Sequence, residues 1–256
     1  MTPRVALVTG GGRGIGRAIA LRLAADGLAV AVAARTRTEV DETARAAGRH
    51  AVALVLDVTD AGSVAGAVER TTRELGPVDV LVNDAGIAES APFAKTEPDF
   101  WDRHFAVNVR GPYLLTRALL PGMLERRWGR VINVASLAGL VGSPYVTAYT
   151  ASKHALVGFT RALATEVSGK GVTVNALCPG FVATDIVWNG ARNIVAKTGK
   201  SFEDAVQALA DMNPGRRLIE PEEVAEAAAR LVADDTTNGE TVVLDGTAPA
   251  PKGATR

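Results

Sequence analysis

The chain alternates short, continuous apolar runs with longer stretches in which apolar residues return every three or four positions. Val5-Ala6-Leu7-Val8, Leu28 to Ala34, His50 to Leu56 and Val78 to Val82 are runs of the first kind. They are too uninterrupted for strands with one wet face, which predicts central parallel strands covered on both sides. Runs from Arg130, from Val172 to Leu177 and from Glu240 to Leu244 continue the series. Helical patterns lie between them. Ile15, Ala18, Ile19 and Leu23 share a face that Arg17 and Arg22 avoid, and Asp26-Gly27 closes that helix. Further helices are predicted over Thr36 to Ala47, from an Asp60 N-cap to Leu75, over Thr147 to Ser168 and over Pro221 to Ala233. Glu97 to Arg127 is long enough for two helices, with Gly111-Pro112 and Pro121-Gly122 as interruptions or kinks. This alternation predicts a doubly wound parallel sheet with right-handed crossovers.

Size and composition narrow the picture. A chain of 256 residues, 47% hydrophobic, can bury one large core, so residues 1–256 are expected to form a single α/β domain. Lys+Arg and Asp+Glu both number 28, leaving no global field to recruit nucleic acid or an anionic membrane. The lone Cys178 excludes an intrachain disulfide and a multi-cysteine metal site, and fits a core role in a reducing compartment. His50, His104 and His154 lack metal-ligand spacing, so no metal is expected. There is no signal-peptide h-region, and no apolar run approaches the ~20 residues that span a bilayer, which predicts a soluble, cytoplasmic protein. Residues 184–217 read as a mixed, lid-like segment, and Thr247 to Arg256 as a mobile tail.

Candidate chemistry gathers in three stretches. Tyr149 and Lys153 are one helical turn apart, so a phenol and an ammonium share a face. Ser136 ends the apolar run from Arg130, where a strand end can carry a hydroxyl to that phenol. Thr9 to Gly16, containing Gly10, Arg13, Gly14, Ile15 and Gly16, follows a strand and opens a helix, so a nucleotide phosphate can rest on bare amides.

With these motifs in this order, the chain resembles the short-chain dehydrogenase/reductase family up to Gly246. Thr9 to Gly16 is similar to the family's cofactor turn, Asp57-Val58 to its adenine-side acid, and Asn83-Asp84-Ala85-Gly86 to its motif after the fourth strand. Pro179-Gly180, Val182 and Thr184 are similar to its nicotinamide-side loop. The resemblance implies a Rossmann-type seven-stranded sheet, a catalytic tetrad of Asn108, Ser136, Tyr149 and Lys153, and Tyr149 and Lys153 at the cofactor. It also implies that Lys153 binds the nicotinamide ribose and that Asn108 holds a proton-relaying water. Asp84 departs from the family, which usually has a second asparagine there; the position is expected to support a turn. Gly129-Arg130 and the Tyr149 to His154 segment most resemble oxoacyl-thioester and polyketide ketoreductases.

Hydride transfer to a ketone builds charge on oxygen, which Tyr149 would meet with a proton and Ser136 with a hydrogen bond. Working in the oxidative direction near neutrality requires lowering the phenol from about 10, worth roughly 4 kcal/mol, and Lys153 is placed to supply part of it. The second strand ends Ala33-Ala34-Arg35 without an acid, so Arg35, joined by Arg13, is expected to bind a 2′-phosphate and select NADP over the alternative, NAD. In the lid, Trp188, Phe202 and Met212 are apolar substrate candidates; Arg192, Lys197, Lys200, Arg216 and Arg217 are cations for a coenzyme A or carrier-protein phosphate. The expected activity is NADPH-dependent reduction of a ketone, with an NAD-dependent alcohol dehydrogenase and a dinucleotide-binding sensor or scaffold as alternatives. The family resemblance further implies a homotetramer. Its surfaces would be the stripe of Phe100, Phe105, Val109, Tyr113 and Leu114 and the edge strand Thr241 to Leu244.

Overall fold

The computed structural model describes residues 3–248. Seven strands form one parallel sheet: β1 (Val5–Thr9), β2 (Ala29–Ala34), β3 (Ala51–Val55), β4 (Val78–Asn83), β5 (Gly129–Val134), β6 (Val172–Pro179) and β7 (Thr241–Leu244). Their spatial order is β3-β2-β1-β4-β5-β6-β7. The chain therefore winds outward from β1 to one edge, returns to β4 and winds to the other edge. The reversal between β1 and β4 opens a crevice at the carboxyl ends of the strands, where ligands bind in folds of this class.

The continuous apolar runs have a direct cause. Along β1, Ala6 and Val8 face a layer with Ile19 and Leu23 of α1 (Gly14–Ala25), Val40 of α2 (Arg37–Ala47) and Val224 of α9 (Pro221–Ala233). Val5 and Leu7 face the other layer, with Val64 of α3 (Ala61–Leu75), Leu115 and Met123 of α5 (Gly111–Glu125), and Ala164 and Val167 of α6 (Thr147–Val167). Each fully buried Val or Leu contributes about 1.5–3 kcal/mol, so both faces of every central strand must be apolar. The Asp60 carboxylate caps α3 by accepting from the Ser63 amide at 2.5 Å.

The segment Glu97 to Arg127 differs from expectation. α4 (Pro98–Phe105) passes into α5 through a π turn over Ala106–Arg110, and Pro121 sits inside α5 without ending it. Gly111 permits the close approach: a Cβ there would lie 2.9 Å from Cγ2 of Val58, which is buried. β6 runs past Leu177 to include Cys178 and Pro179. The lid consists of α7 (Asp185–Thr198) and α8 (Phe202–Ala210), with Trp188 and Phe202 ring centroids 6.4 Å apart. Of the predicted tail, residues 249–256 lie outside the described part of the chain.

Candidate active site

The glycine turn leaves β1 and enters α1 over the crevice. Gly10 has φ +67°, and a Cβ there would stand 2.8 Å from Asp84 Oδ2; one on Gly16 would collide with the Gly10 carbonyl. Arg13 precedes α1 without a side-chain cap, so the helix presents bare amides, the arrangement a diphosphate requires. Thr184 closes the cradle from the opposite wall: its Cγ2 is 3.2 Å from where a Gly14 Cβ would be. A cleft bounded by Arg13, Gly14, Thr184, Asp185 and Trp188 runs along this seam.

Across the crevice, α6 carries Tyr149 and Lys153 beside the end of β5. Lys153 is buried, and its Nζ donates to the Val134 carbonyl at 2.7 Å and lies 5.8 Å from the Tyr149 ring centroid. Burial pushes the Tyr149 phenol above its ordinary value, the Ser136 hydroxyl bonded to it works the other way, and the charge on Asp84 raises it further. Lys153 stands beside the phenol ring and is itself buried. The side chain fights that burial, which pushes it down to about 8 while Asp84 holds it up. A phenol held protonated is a proton donor, which suits the reductive direction.

The Ser136 hydroxyl also caps the turn after β5, accepting from the Ala138 amide at 3.1 Å. Asn108 sits in the π turn, and its side chain is fully engaged. Oδ1 accepts from Ile87 N at 2.9 Å, and Nδ2 donates to Ile87 O and to Ser152 Oγ, both at 3.0 Å. No side-chain N–H remains for the water that the resemblance assigned to it. Ser152 in turn donates to the Tyr149 carbonyl at 2.7 Å, which ties the π turn to the helix bearing the phenol.

Similarity to known proteins follows the same residues. Residues 4–194 match the family model described as short chain dehydrogenase. The chain belongs to the short-chain dehydrogenase/reductase family. It is 39% identical over 248 residues to the 3-oxoacyl-acyl-carrier-protein reductase FabG of Pseudomonas aeruginosa, covering 95% of this chain and 96% of that one. It is 35% identical over 258 residues to the oxidoreductase UcpA of Escherichia coli, covering 98% and 97%. A crystal structure of an actinorhodin polyketide ketoreductase variant with NADPH superposes with a TM-score of 0.91 at 36% identity, covering 95% and 96%.

Several family positions do something other than the sequence suggested. Arg13 pairs with Asp185 at 3.2 Å rather than joining Arg35, linking the glycine turn to the lid through an exposed contact. Arg35 is exposed at the end of β2 and acts electrostatically on Asp57, whose Oδ1 accepts from Thr59 N at 2.9 Å and Thr59 Oγ1 at 2.7 Å. The Asn83 side chain is buried and its Nδ2 donates to Asn133 Oδ1 at 2.8 Å, bracing β4 on β5, while its Oδ1 has no partner among the described residues. Arg217 is no free cation: it grips both oxygens of Glu223 at 2.6 and 2.7 Å. Arg216 pairs with Asp211, and Arg192 with Asn189. His104 is a core residue, with Nε2 accepting from Glu89 N at 3.2 Å and Nδ1 at 2.8 Å from the Phe100 carbonyl.

Three residues organise the site in ways that the sequence patterns do not show. Thr9 Oγ1 accepts from the Asp84 and Ala85 amides, both at 3.1 Å, and thereby sets the strand-four loop against the glycine turn. Asn213, 1% exposed, fastens the return of the lid: Oδ1 accepts from Phe181 N at 2.8 Å, and Nδ2 donates to Phe181 O and Arg217 O. Asp84 is the third. Its Oδ2 lies against both Gly10 and Gly16, where a Cβ on either would meet it. Burial pushes it up to about 7, with Lys153 and the Gly16 amide pulling the other way.

Proposed function

We propose that this chain reduces a ketone with NADPH, Tyr149 giving the proton to the carbonyl oxygen. The observation that carries the reading is the Tyr149 phenol set beside Lys153, with burial holding it in the protonated form, across a crevice from a helix N-terminus without a cap from its N-cap residue. The turn suits a dinucleotide, since side chains on Gly10 or Gly16 would collide with Asp84 or the Gly10 carbonyl and displace the N-terminus of α1 from the cleft. Bound NADPH supplies the hydride. On the protein side, Ser136 orients the carbonyl oxygen, Tyr149 transfers its proton there, and Lys153 binds the nicotinamide ribose. Because the Asn108 amide is occupied, the relaying water rests on backbone in the π turn. Arg35 meets the 2′-phosphate, with Asp57 and Val58 at the adenine; Asn83, Ala85, Gly86, Pro179, Gly180, Val182 and Thr184 line the remaining walls.

The substrate is a ketone larger than a simple metabolite, of the 3-oxoacyl thioester or polyketide class. Apart from Tyr113 on α5, six of the nine exposed large apolar residues among those described, Phe93, Val141, Tyr145, Ile186, Phe202 and Met212, lie in loops and helices that follow β4, β5 and β6. That clustering at one end of the sheet provides an apolar rim for an extended substrate. Assaying purified protein with both reduced cofactors against 3-oxoacyl thioesters, polycyclic ketones and small ketones tests the assignment. Turnover confined to small alcohols with NAD would overturn it.

The direction of the phenol's shift gives a pH test. Tyr149 stays protonated through neutral pH, so the reductive rate should not climb between pH 6 and 8. The oxidative rate should climb, because only the phenolate accepts the alcohol proton. A reductive rate that rises with pH in this range would remove Tyr149 from the role of donor.

The same reading places the protein in the cytoplasm as a homotetramer. Among the described residues no helix is long and apolar enough to cross a membrane. Tyr113 is 45% exposed on α5 and Val243 48% exposed on the edge strand β7, surfaces that a pair of two-fold contacts would cover. Light scattering at micromolar concentration should return the mass of four chains, and a stable monomer would refute the assembly.

A further inference from the structure

We propose that Asp84 is a positioning residue whose carboxylate, lodged between Gly10 and Gly16, is the counter-charge that keeps the Lys153 ammonium protonated for cofactor binding. The inference rests on the reductase reading above and adds to it a residue outside the tetrad.

The geometry comes from one short loop. Asp84 and Gly86 are separated by Ala85, and the loop is held by Thr9 Oγ1 at the Asp84 and Ala85 amides. At one end, Asp84 Oδ2 fits where a Cβ on Gly10 or Gly16 would come within 2.8 or 2.6 Å. At the other, Lys153 Nζ lies 3.6 Å from where a Gly86 Cβ would be. A carboxylate beside the first turn of α1 and an ammonium against Gly86 thus lie at the same short loop. Asp84 and Lys153 make no direct ion pair within 4 Å among the described residues. Their interaction is through space in a buried region, where charges are poorly screened.

Lys153 needs such a partner. It is 5% exposed, and among the described residues its one hydrogen bond is to the neutral Val134 carbonyl. Burial works against its charged form. The titratable groups facing this pair are few: Tyr149 lies on the same helix, and Cys178 of β6 is a weak influence whose own thiol is pushed up by burial. Asp84 is the carboxylate that supports the ammonium. Where the family usually has asparagine, the amide could accept from Gly16 but would carry no charge. The substitution in this chain therefore alters the electrostatics of the site while leaving the turn intact.

The test is the pH dependence of NADPH and NADH dissociation constants, read from nicotinamide fluorescence between pH 6 and 10, for the wild type and Asp84→Asn. Removing the counter-charge should move the midpoint of the alkaline loss of affinity down by about one pH unit. At pH 8 the variant should bind about tenfold more weakly than at pH 6, where the two proteins should agree within about twofold. An unchanged midpoint, or a uniform loss at every pH, would overturn the proposal and leave Asp84 as a cap on α1. Lys153→Arg identifies the limb independently of whether Asp84→Asn folds, because a guanidinium stays charged throughout the range. Its alkaline limb should vanish, and a limb that survives in this variant also overturns the assignment. A wild type that binds neither cofactor would sink the reductase reading itself, a result distinct from binding with an unmoved limb.

Discussion

Replacing Tyr149 by phenylalanine is expected to lower turnover by about 10²–10⁴-fold, the range for loss of a positioned general acid, while leaving NADPH affinity within a few-fold. The substitution deletes one oxygen and retains a ring whose packing beside Lys153 does not depend on it. Ser136 remains to orient the carbonyl oxygen, but a hydroxyl without an acidified proton cannot replace the phenol. Single-turnover hydride transfer together with a cofactor titration separates the two effects. Residual turnover within about tenfold of wild type would mean that the proton comes from elsewhere.

Arg35→Asp should move cofactor preference from NADPH towards NADH by at least tenfold in the ratio of kcat/KM values. A charge-assisted contact to the 2′-phosphate is worth roughly 1.5–3 kcal/mol, or about 10- to 150-fold. The new carboxylate would both repel that phosphate and accept from a ribose hydroxyl. Arg13 is left unchanged in this test, its exposed pair with Asp185 being weak, so the shift reads the share of Arg35. If the wild type already prefers NADH, Arg35 is only a surface cation near Asp57 and the cofactor assignment fails.

The exposed Arg13–Asp185 contact adds little stability by itself, since such pairs are worth about 0–1 kcal/mol. Its interest is connectivity, because it joins the phosphate turn to the first residue of the lid helix α7. Arg217, bonded to Glu223 and to the Ala248 carbonyl, fixes the far end of the same segment. The lid is therefore tied at both ends, and its exposed apolar residues lie between the ties.

Much of the protein was legible along the chain because local patterns report local causes. Uninterrupted apolar runs mark strands covered on both faces, and their alternation with helical stripes determines a doubly wound sheet. The spacing of Tyr149 and Lys153 sets both on one helical face whatever surrounds it, and the glycine spacing of Gly10 to Gly16 signals backbone approach wherever the turn lies. What only the tertiary structure decided are interactions between residues distant in sequence. The π turn at Asn108 depends on Ile87 and Ser152; the engagement of Arg13 depends on Asp185; the inward turn of Asn83 depends on Asn133. Charge is the clearest case. The ionisation of Tyr149, Lys153 and Asp84 is set by burial and by mutual distance in the folded chain, quantities that no local pattern encodes.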